Sequence, residues 1–281
     1  MAVAIPRDAS SVIIVRSGTS GAQALLIRRD AKLAFAGGAW VFPGGKLEPA
    51  DASAEPAMRD RSSALIVAAC RETFEETGIV LACHANGDPC DAGLAEALQR
   101  FRDDVSQNAG FFVSLLVEHG LTIVPERLIM WAHWITPSIV PKRFDTRFFV
   151  TPMPPGQIAR CESAEAAEFR WLDLPLHGGM PDESLVQAPP TRFSLGDLAL
   201  ALHRHGSLDR LMQAEAARSV VPMMPKMLRI DGRMTALMPW DPDYQEAPGE
   251  GVPAGTEIPP QYLQFPSRVA PTLRISGMPS D

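Results

Sequence analysis

Arg71-Glu72-Thr73-Phe74-Glu75-Glu76-Thr77-Gly78-Ile79 places three carboxylates within two helical turns. At about 100° per residue, Glu72, Glu75 and Glu76 project within an arc of roughly 100°. Like charges this close repel by a few tenths of a kcal/mol per pair, roughly, on an exposed helix, so the cluster is best understood as the seat of a hard dication, magnesium or manganese. Ile66, Cys70, Thr73, Phe74 and Thr77 fall on the opposite arc, which predicts a helix packed on a sheet. Gly78 ends the helix where a left-handed residue costs least. Upstream, Trp40-Val41-Phe42 reads as a short strand, and Pro43 to Pro49 as a loop whose glycines let the backbone approach a ligand or ion. The order is strand, glycine loop, acidic helix. A solvated acidic face is the plain alternative for any Glu-Glu pair. The third glutamate, Arg71, the terminal Gly78 and the preceding Gly44-Gly45 weigh together for a site.

These residues resemble the box of the Nudix hydrolases, a glycine loop followed by a helix bearing an Arg-Glu pair, a Glu-Glu pair and a terminal glycine. Arg71, Glu72, Glu75, Glu76, Gly78 and Ile79 match, with Thr73 standing for a larger apolar residue. The first half departs in spacing, because Ala57 and Ser63 occupy the positions where the common box has its first glycine and first acid. If Gly45 is the box glycine, Asp51 takes the acidic position and an insertion falls near Ala52 to Ser62. An interrupted box of this kind is similar to that of the coenzyme A diphosphatases of motif type nineteen. The same subgroup is resembled by Trp134-Ile135-Thr136-Pro137, by Pro141 to Phe149 and by Pro189-Pro190-Thr191, so the likeness runs from about Ser11 to about His203.

The resemblance implies an α+β Nudix fold, a mixed β-sheet sandwiched between α-helices, and metal-dependent hydrolysis of a pyrophosphate joined to another group. It implies that Glu72, Glu75 and Glu76 bind Mg2+ or Mn2+, with the Gly45 carbonyl as a further ligand. Glu72 is a candidate general base as well, Glu75 shares the catalytic assignment, and Arg71 orients a box glutamate through a bidentate pair. Glu165 and Asp51 are the candidates for an additional acidic ligand. The substrate implied is coenzyme A or an acyl-coenzyme A, giving 3′,5′-ADP and (acyl-)4′-phosphopantetheine. An ADP-ribose, NADH or nucleotide-sugar pyrophosphatase is the alternative enzyme, because the box selects diphosphates and not the group attached. A Nudix-fold module that senses a nucleotide without cutting it is the alternative of another class, and the three retained glutamates weigh against it. Substrate phosphates are assigned to Arg143 and Arg147, which flank Asp145 at strand alternation, and to Arg28, with Phe42 beside the loop.

The remaining sequence bounds this reading. A chain of 281 residues, 46% hydrophobic, can bury one large core with additions. The domain expected is 1–219, with a helical insertion at about 91–119 forming a cap near the site, followed by a proline-rich extension at 220–281. Strands are expected at Ser11 to Arg16, Ala22 to Arg28, Trp40 to Phe42, Val80 to Cys83, Leu128 to Ile135, Arg147 to Val150 and Glu168 to Leu172. A second helix is expected from a cap at Ser194 to about His203. In the extension, Met227 to Ile230 and Met234 to Leu237 flank Asp231-Gly232-Arg233, a hairpin signal. A net charge of −7 opposes nucleic-acid binding but permits a small anionic nucleotide bridged by dications. No window reaches the roughly 18 apolar residues of a membrane span, and no signal precedes the first strand, so a cytoplasmic protein is expected, with a homodimer a compatible assembly. Cys70, Cys83, Cys90 and Cys161 lack zinc spacing and read as reduced thiols.

Overall fold

The computed structural model describes residues 3–18, 21–32, 37–53, 61–161, 166–174 and 185–270. The first apolar runs form two long strands, β1 (Arg7–Gly18) and β2 (Gly21–Arg29), followed by β3 (Trp40–Val41) and β4 (Gly44–Lys46). A short 3-10 turn at Pro49–Ser53 precedes the acidic helix α1 (Arg61–Thr77). The insertion runs from β5 (Cys83–His84) through α2 (Ala92–Leu98), α3 (Arg102–Gln107) and α4 (Ala109–Glu118) to β6 (Leu121–Thr122). Strands β7 (Ile129–Ile135), β8 (Phe144–Pro152) and β9 (Ala166–Asp173) complete the central sheet, and helices α5 (Pro189–His205) and α6 (Leu208–Ala214) cover it. The extension adds β10 (Pro222–Met223), a hairpin of β11 (Lys226–Ile230) and β12 (Arg233–Leu237), and β13 (Arg268–Val269).

The main sheet has the order β10-β7-β8-β1-β2-β3, with β4 on β1 and β9 on β2. It is mixed, since β1 runs parallel to β8 and β10 to β7 while the other pairs are antiparallel. Successive residues of a strand point to opposite faces, and β1 divides its apolar residues accordingly. Val12 and Ile14 join Phe149 in a core against α1, and Ile13 and Val15 join Phe148 and Val150 in a core against α5. Both faces are therefore covered by helices. The extension is wrapped on the body, with Met223, Ala236, Met238, Tyr262 and Phe265 sharing the α5-side core with Trp134 and Phe193.

Three expectations about elements need correction. Of the strand expected at Val80 to Cys83 only Cys83 is in a strand, at the start of β5, because Gln157 takes the place of a neighbouring strand beside Val80. Its side-chain amide accepts from Val80 N at 2.9 Å and donates to Val80 O at 3.2 Å. Helix α5 begins at Pro189, five residues before Ser194, since proline at the first helical positions lacks the N–H that would go unsatisfied there. Ser194 is buried inside that helix. The expected glycine loop is partly strand, with Ser11↔Gly44 and Ala9↔Lys46 pairing on the edge of β1.

Beneath the α5 side lies a closed charge cluster. Arg218 pairs with the fully buried Asp197 and with Glu215, and its guanidinium lies 3.9 Å from the Trp131 ring centre. A second cluster sits on the sheet, where Asp145 takes His133 Nε2 at 2.5 Å and Arg147 Nη1 at 2.6 Å. The four cysteines are free thiols. Among the described residues no helix is long and apolar enough to cross a membrane.

Candidate active site

Helix α1 and strand β4 meet more closely than side chains at β4 would permit. A Cβ added to Gly45 would overlap the Glu72 carboxylate, and one added to Gly44 would overlap the backbone of Ser10 and Ser11. The two glycines therefore let the acidic face of α1 lie directly against a strand. The contact is polar as well as steric, because Gly44 N donates to Glu76 Oε2 at 2.8 Å.

Arg71 organises the carboxylates. It is 3% exposed, and its guanidinium binds Asp51 through two bonds, Nε to Oδ1 at 2.8 Å and Nη2 to Oδ2 at 3.1 Å. Its Nη1 donates to Glu72 Oε1 at 3.1 Å and to Glu75 Oε1 at 2.6 Å, and its Nη2 to the Lys46 carbonyl at 3.1 Å. Asp51 also accepts from Glu48 N at 2.8 Å, which closes the turn that follows β4. Burial opposes the Arg71 charge, yet Asp51, Glu72 and Glu75 outweigh it and hold the group protonated. Burial pushes the Glu75 carboxyl above its ordinary value, with Arg71 and Ser106 pulling the other way. The insertion reaches the same place, since Arg102 of α3 donates through Nε and Nη2 to the Glu75 carbonyl at 3.1 and 2.8 Å.

These carboxylates line a cleft of about 1250 Å3. Its walls come from β1 and β4, from α1, from the insertion between Gln99 and Ala109, from the start of α5, and from the hairpin. Of the residues expected at the site, Arg71, Glu72, Glu75, Glu76, Gly45 and Phe42 line this cleft together. Asp51 lies behind Arg71, with both oxygens engaged as described, so it orients the floor and does not face the cleft. Glu165 lies outside the described residues.

The basic residues expected to bind substrate need correction, as none of the three lines the cleft. Arg28 is exposed and pairs with Glu168. Arg147 pairs with Asp145 and, at 3.6 Å, with Asp8. Arg143 is buried, giving bonds to the carbonyls of Thr136 and Ala4 at 3.0 and 2.8 Å and to Glu250 at 3.0 Å. Strand parity explains the miss for Arg147, because the cleft takes Phe144, Thr146 and Phe148 from β8 and the alternate residues point away. Besides Arg71, the cations that do line it are Arg7, Arg29, Lys46, Arg100, Arg102 and Lys142. Arg29 follows Arg28 on β2, so a one-residue change of face separates the residue chosen from the residue in place.

A dication in this cleft meets donors of the right chemistry, carboxylate and carbonyl oxygens against a glycine strand. Among the described residues no three acidic, histidine or cysteine side chains already converge as a cation cage. Arg71 Nη1 bridges Glu72 and Glu75, so these side chains would turn toward an arriving ion. Nudix hydrolases generally use divalent metals.

Comparison with known proteins agrees with this geometry. The family model described as the NUDT19 Nudix domain matches residues 57–196. The chain is 24% identical to the acyl-coenzyme A diphosphatase NUDT19 of Xenopus laevis over 83% of its own length and 74% of that protein. It is 25% identical to the Homo sapiens protein of the same name, over 80% and 73%. A crystal structure of a NUDIX hydrolase from Alicyclobacillus acidocaldarius superposes with a TM-score of 0.58 at 25% identity, covering 75% of this chain and 97% of that one. The chain belongs to the Nudix hydrolases, as an enzyme that cuts a pyrophosphate linkage in a small-molecule substrate, and it is similar within them to NUDT19.

Proposed function

We propose that this enzyme is a coenzyme A diphosphatase acting on coenzyme A or acyl-coenzyme A, with Mg2+ or Mn2+ as cofactor, to release 3′,5′-ADP and (acyl-)4′-phosphopantetheine. The observation that carries the reading is the cleft. Its volume of about 1250 Å3 exceeds the roughly 300–1,000 Å3 of sites for drug-sized ligands, and an acidic floor continues into an apolar wall. A long substrate with a diphosphate in its middle and a neutral arm at one end fits that division. The names of the Xenopus and human relatives support the same substrate class.

Water adds to one phosphorus, the bridging P–O bond breaks, the bridging oxygen leaves with the other phosphate, and a proton is released. Glu72, Glu75, Glu76 and the Gly45 carbonyl would hold a dication, which would supply charge neutralisation at the phosphates and a lowered pKa for water. The chain's own residues set the stage for this. Asp51 fixes the Arg71 plane, Arg71 holds the Glu72 and Glu75 side chains, and Arg102 fixes the last turn of the helix through the Glu75 carbonyl. Glu72 is the candidate to take the proton from water. Because Glu72 and Glu75 share one Nη1, a proton arriving on either weakens its bond to Arg71 and strengthens the other's claim. Arg7, Arg29 and Lys142 are the cations placed to meet the remaining phosphate charge. The compartment that fits this substrate and sequence is the cytoplasm.

The test is side-by-side turnover of coenzyme A, acyl-coenzyme A, ADP-ribose, NADH and a nucleotide sugar with magnesium and with manganese. Coenzyme A species are expected to show the highest kcat/KM. Cleavage of the other diphosphates without any coenzyme A species would overturn the assignment.

A further inference from the structure

The cleft has a wall that a diphosphate does not need. From the carboxylates the floor crosses β4, β1, β8 and β7, three strand spacings or roughly 14 Å, to reach Trp134 and Ile135. Over this far end stands the hairpin of β11 and β12. Its turn consists of Asp231 at φ 49° and Gly232 at φ 80°, the left-handed pair that a two-residue hairpin favours, and it sets Met227 opposite Ala236. Both residues line the cleft. The alternate side chains, Leu228 and Leu237, face the other way into a small core with Tyr244 and Val252. Lys226 Nζ donates to the carbonyls of Tyr244 and Ala247 at 2.9 and 2.6 Å. The hairpin is thus clamped from behind and shows the cleft one small and one flexible apolar side chain.

We propose that Met227 and Ala236 read the thioester side of the substrate, receiving the acyl chain of an acyl-coenzyme A and setting the length it can have. The inference rests on the coenzyme A reading above. Its support is the chemistry of this wall, because the segment from Pro225 to Leu237 contributes only Pro225, Met227 and Ala236 to the cleft. These three side chains carry no hydrogen-bonding group stronger than a thioether sulfur, so they offer a purine or a phosphate no side-chain partner, while a hydrocarbon chain requires none. The occupant is continuous with the reaction site, since both ends belong to one cleft.

The experiment compares kcat/KM for coenzyme A, acetyl-coenzyme A and octanoyl-coenzyme A in the wild type, Ala236→Phe and Met227→Ala. Filling the wall with Ala236→Phe is expected to lower the octanoyl-to-coenzyme A ratio about tenfold. Opening it with Met227→Ala is expected to move the preferred chain length upward. Ratios unmoved from wild type in the folded variants overturn the inference, and if Ala236→Phe does not fold, Met227→Ala decides alone. A wild type that cleaves ADP-ribose but no coenzyme A species defeats the coenzyme A reading and this inference with it, a result distinct from an unmoved ratio.

Discussion

Arg71 and Arg218 both cover their guanidinium groups and bind buried aspartates, yet their surroundings differ in one respect. Around Arg71 three carboxylates, those of Asp51, Glu72 and Glu75, share one guanidinium, and Glu76 lines the same cleft as Glu72 and Glu75. Around Arg218 the charges are matched. Asp197 and Glu215 face Arg218, Arg204 and His205, with the Arg218 guanidinium under Trp131 and Arg204 at the surface. A buried charge set costs free energy unless its members are paired. The closed set meets that condition within the chain. The open one keeps an excess of negative charge where a dication and a phosphate can reach it.

The largest effect should come from removing that excess. Glu75→Gln with Glu76→Gln is expected to lower kcat by three orders of magnitude or roughly more, as loss of several kcal/mol of charge stabilisation implies. Chelation of the wild type should give a comparable loss, with the melting temperature of the double variant retained. Undiminished turnover in the folded double variant would erase the distinction between the two arginines. Asp197→Ala acts in the opposite currency. Leaving Arg218 buried without its main partner should cost about 3–5 kcal/mol in denaturant unfolding, with kcat/KM of the folded protein unchanged. A loss of activity without a loss of stability would show that the closed cluster has a second role.

Smaller effects sharpen the contrast. Gly45→Ala pushes against the Glu72 carboxylate, and a displacement of that kind should lower kcat/KM about a hundredfold while binding of the inert nucleotide ADP changes little. Wild-type turnover in that variant would mean the close approach of β4 to α1 is dispensable. The smallest effect belongs to the cluster on β8. Burial works to raise the Asp145 pKa, but His133 and Arg147 prevail and bring it to about 2. Because the folded value lies below the ordinary value of about 3.9, this carboxylate stabilises the fold above pH 4, and the contribution fades as pH falls toward 2. Asp145→Asn should therefore remove about 1–2 kcal/mol at neutral pH and flatten the acid limb of the stability curve. An unchanged acid limb would show that the pair is too solvated to matter.

The acidic helix was legible because its information is local. Spacing fixed which side of the helix bears Glu72, Glu75 and Glu76, and Asp231-Gly232 announced the hairpin by turn chemistry alone. What escaped depends on distant neighbours. Strand alternation showed that Arg147 and Asp145 share a face, but which face borders the cleft follows from β8 lying between β1 and β7. Asp51 read as a ligand candidate because its sequence distance from Arg71 hid the bidentate pair they form. Ser194 looked like a cap, and only the buried contacts of α5 reveal that two prolines start the helix earlier. The hairpin's place beside the cleft has the same origin, since β10 carries the extension to the outer edge of β7.

Arg143 links segments that stand far apart along the chain. One guanidinium holds the carbonyl of Ala4, the carboxylate of Glu250 and the sulfur of Met224. Engineering at either end is consequently not independent. A fusion partner joined ahead of the first strand and a truncation that removes Glu250 would both disturb the contacts of this one guanidinium, which also reaches Met224, two residues before the hairpin.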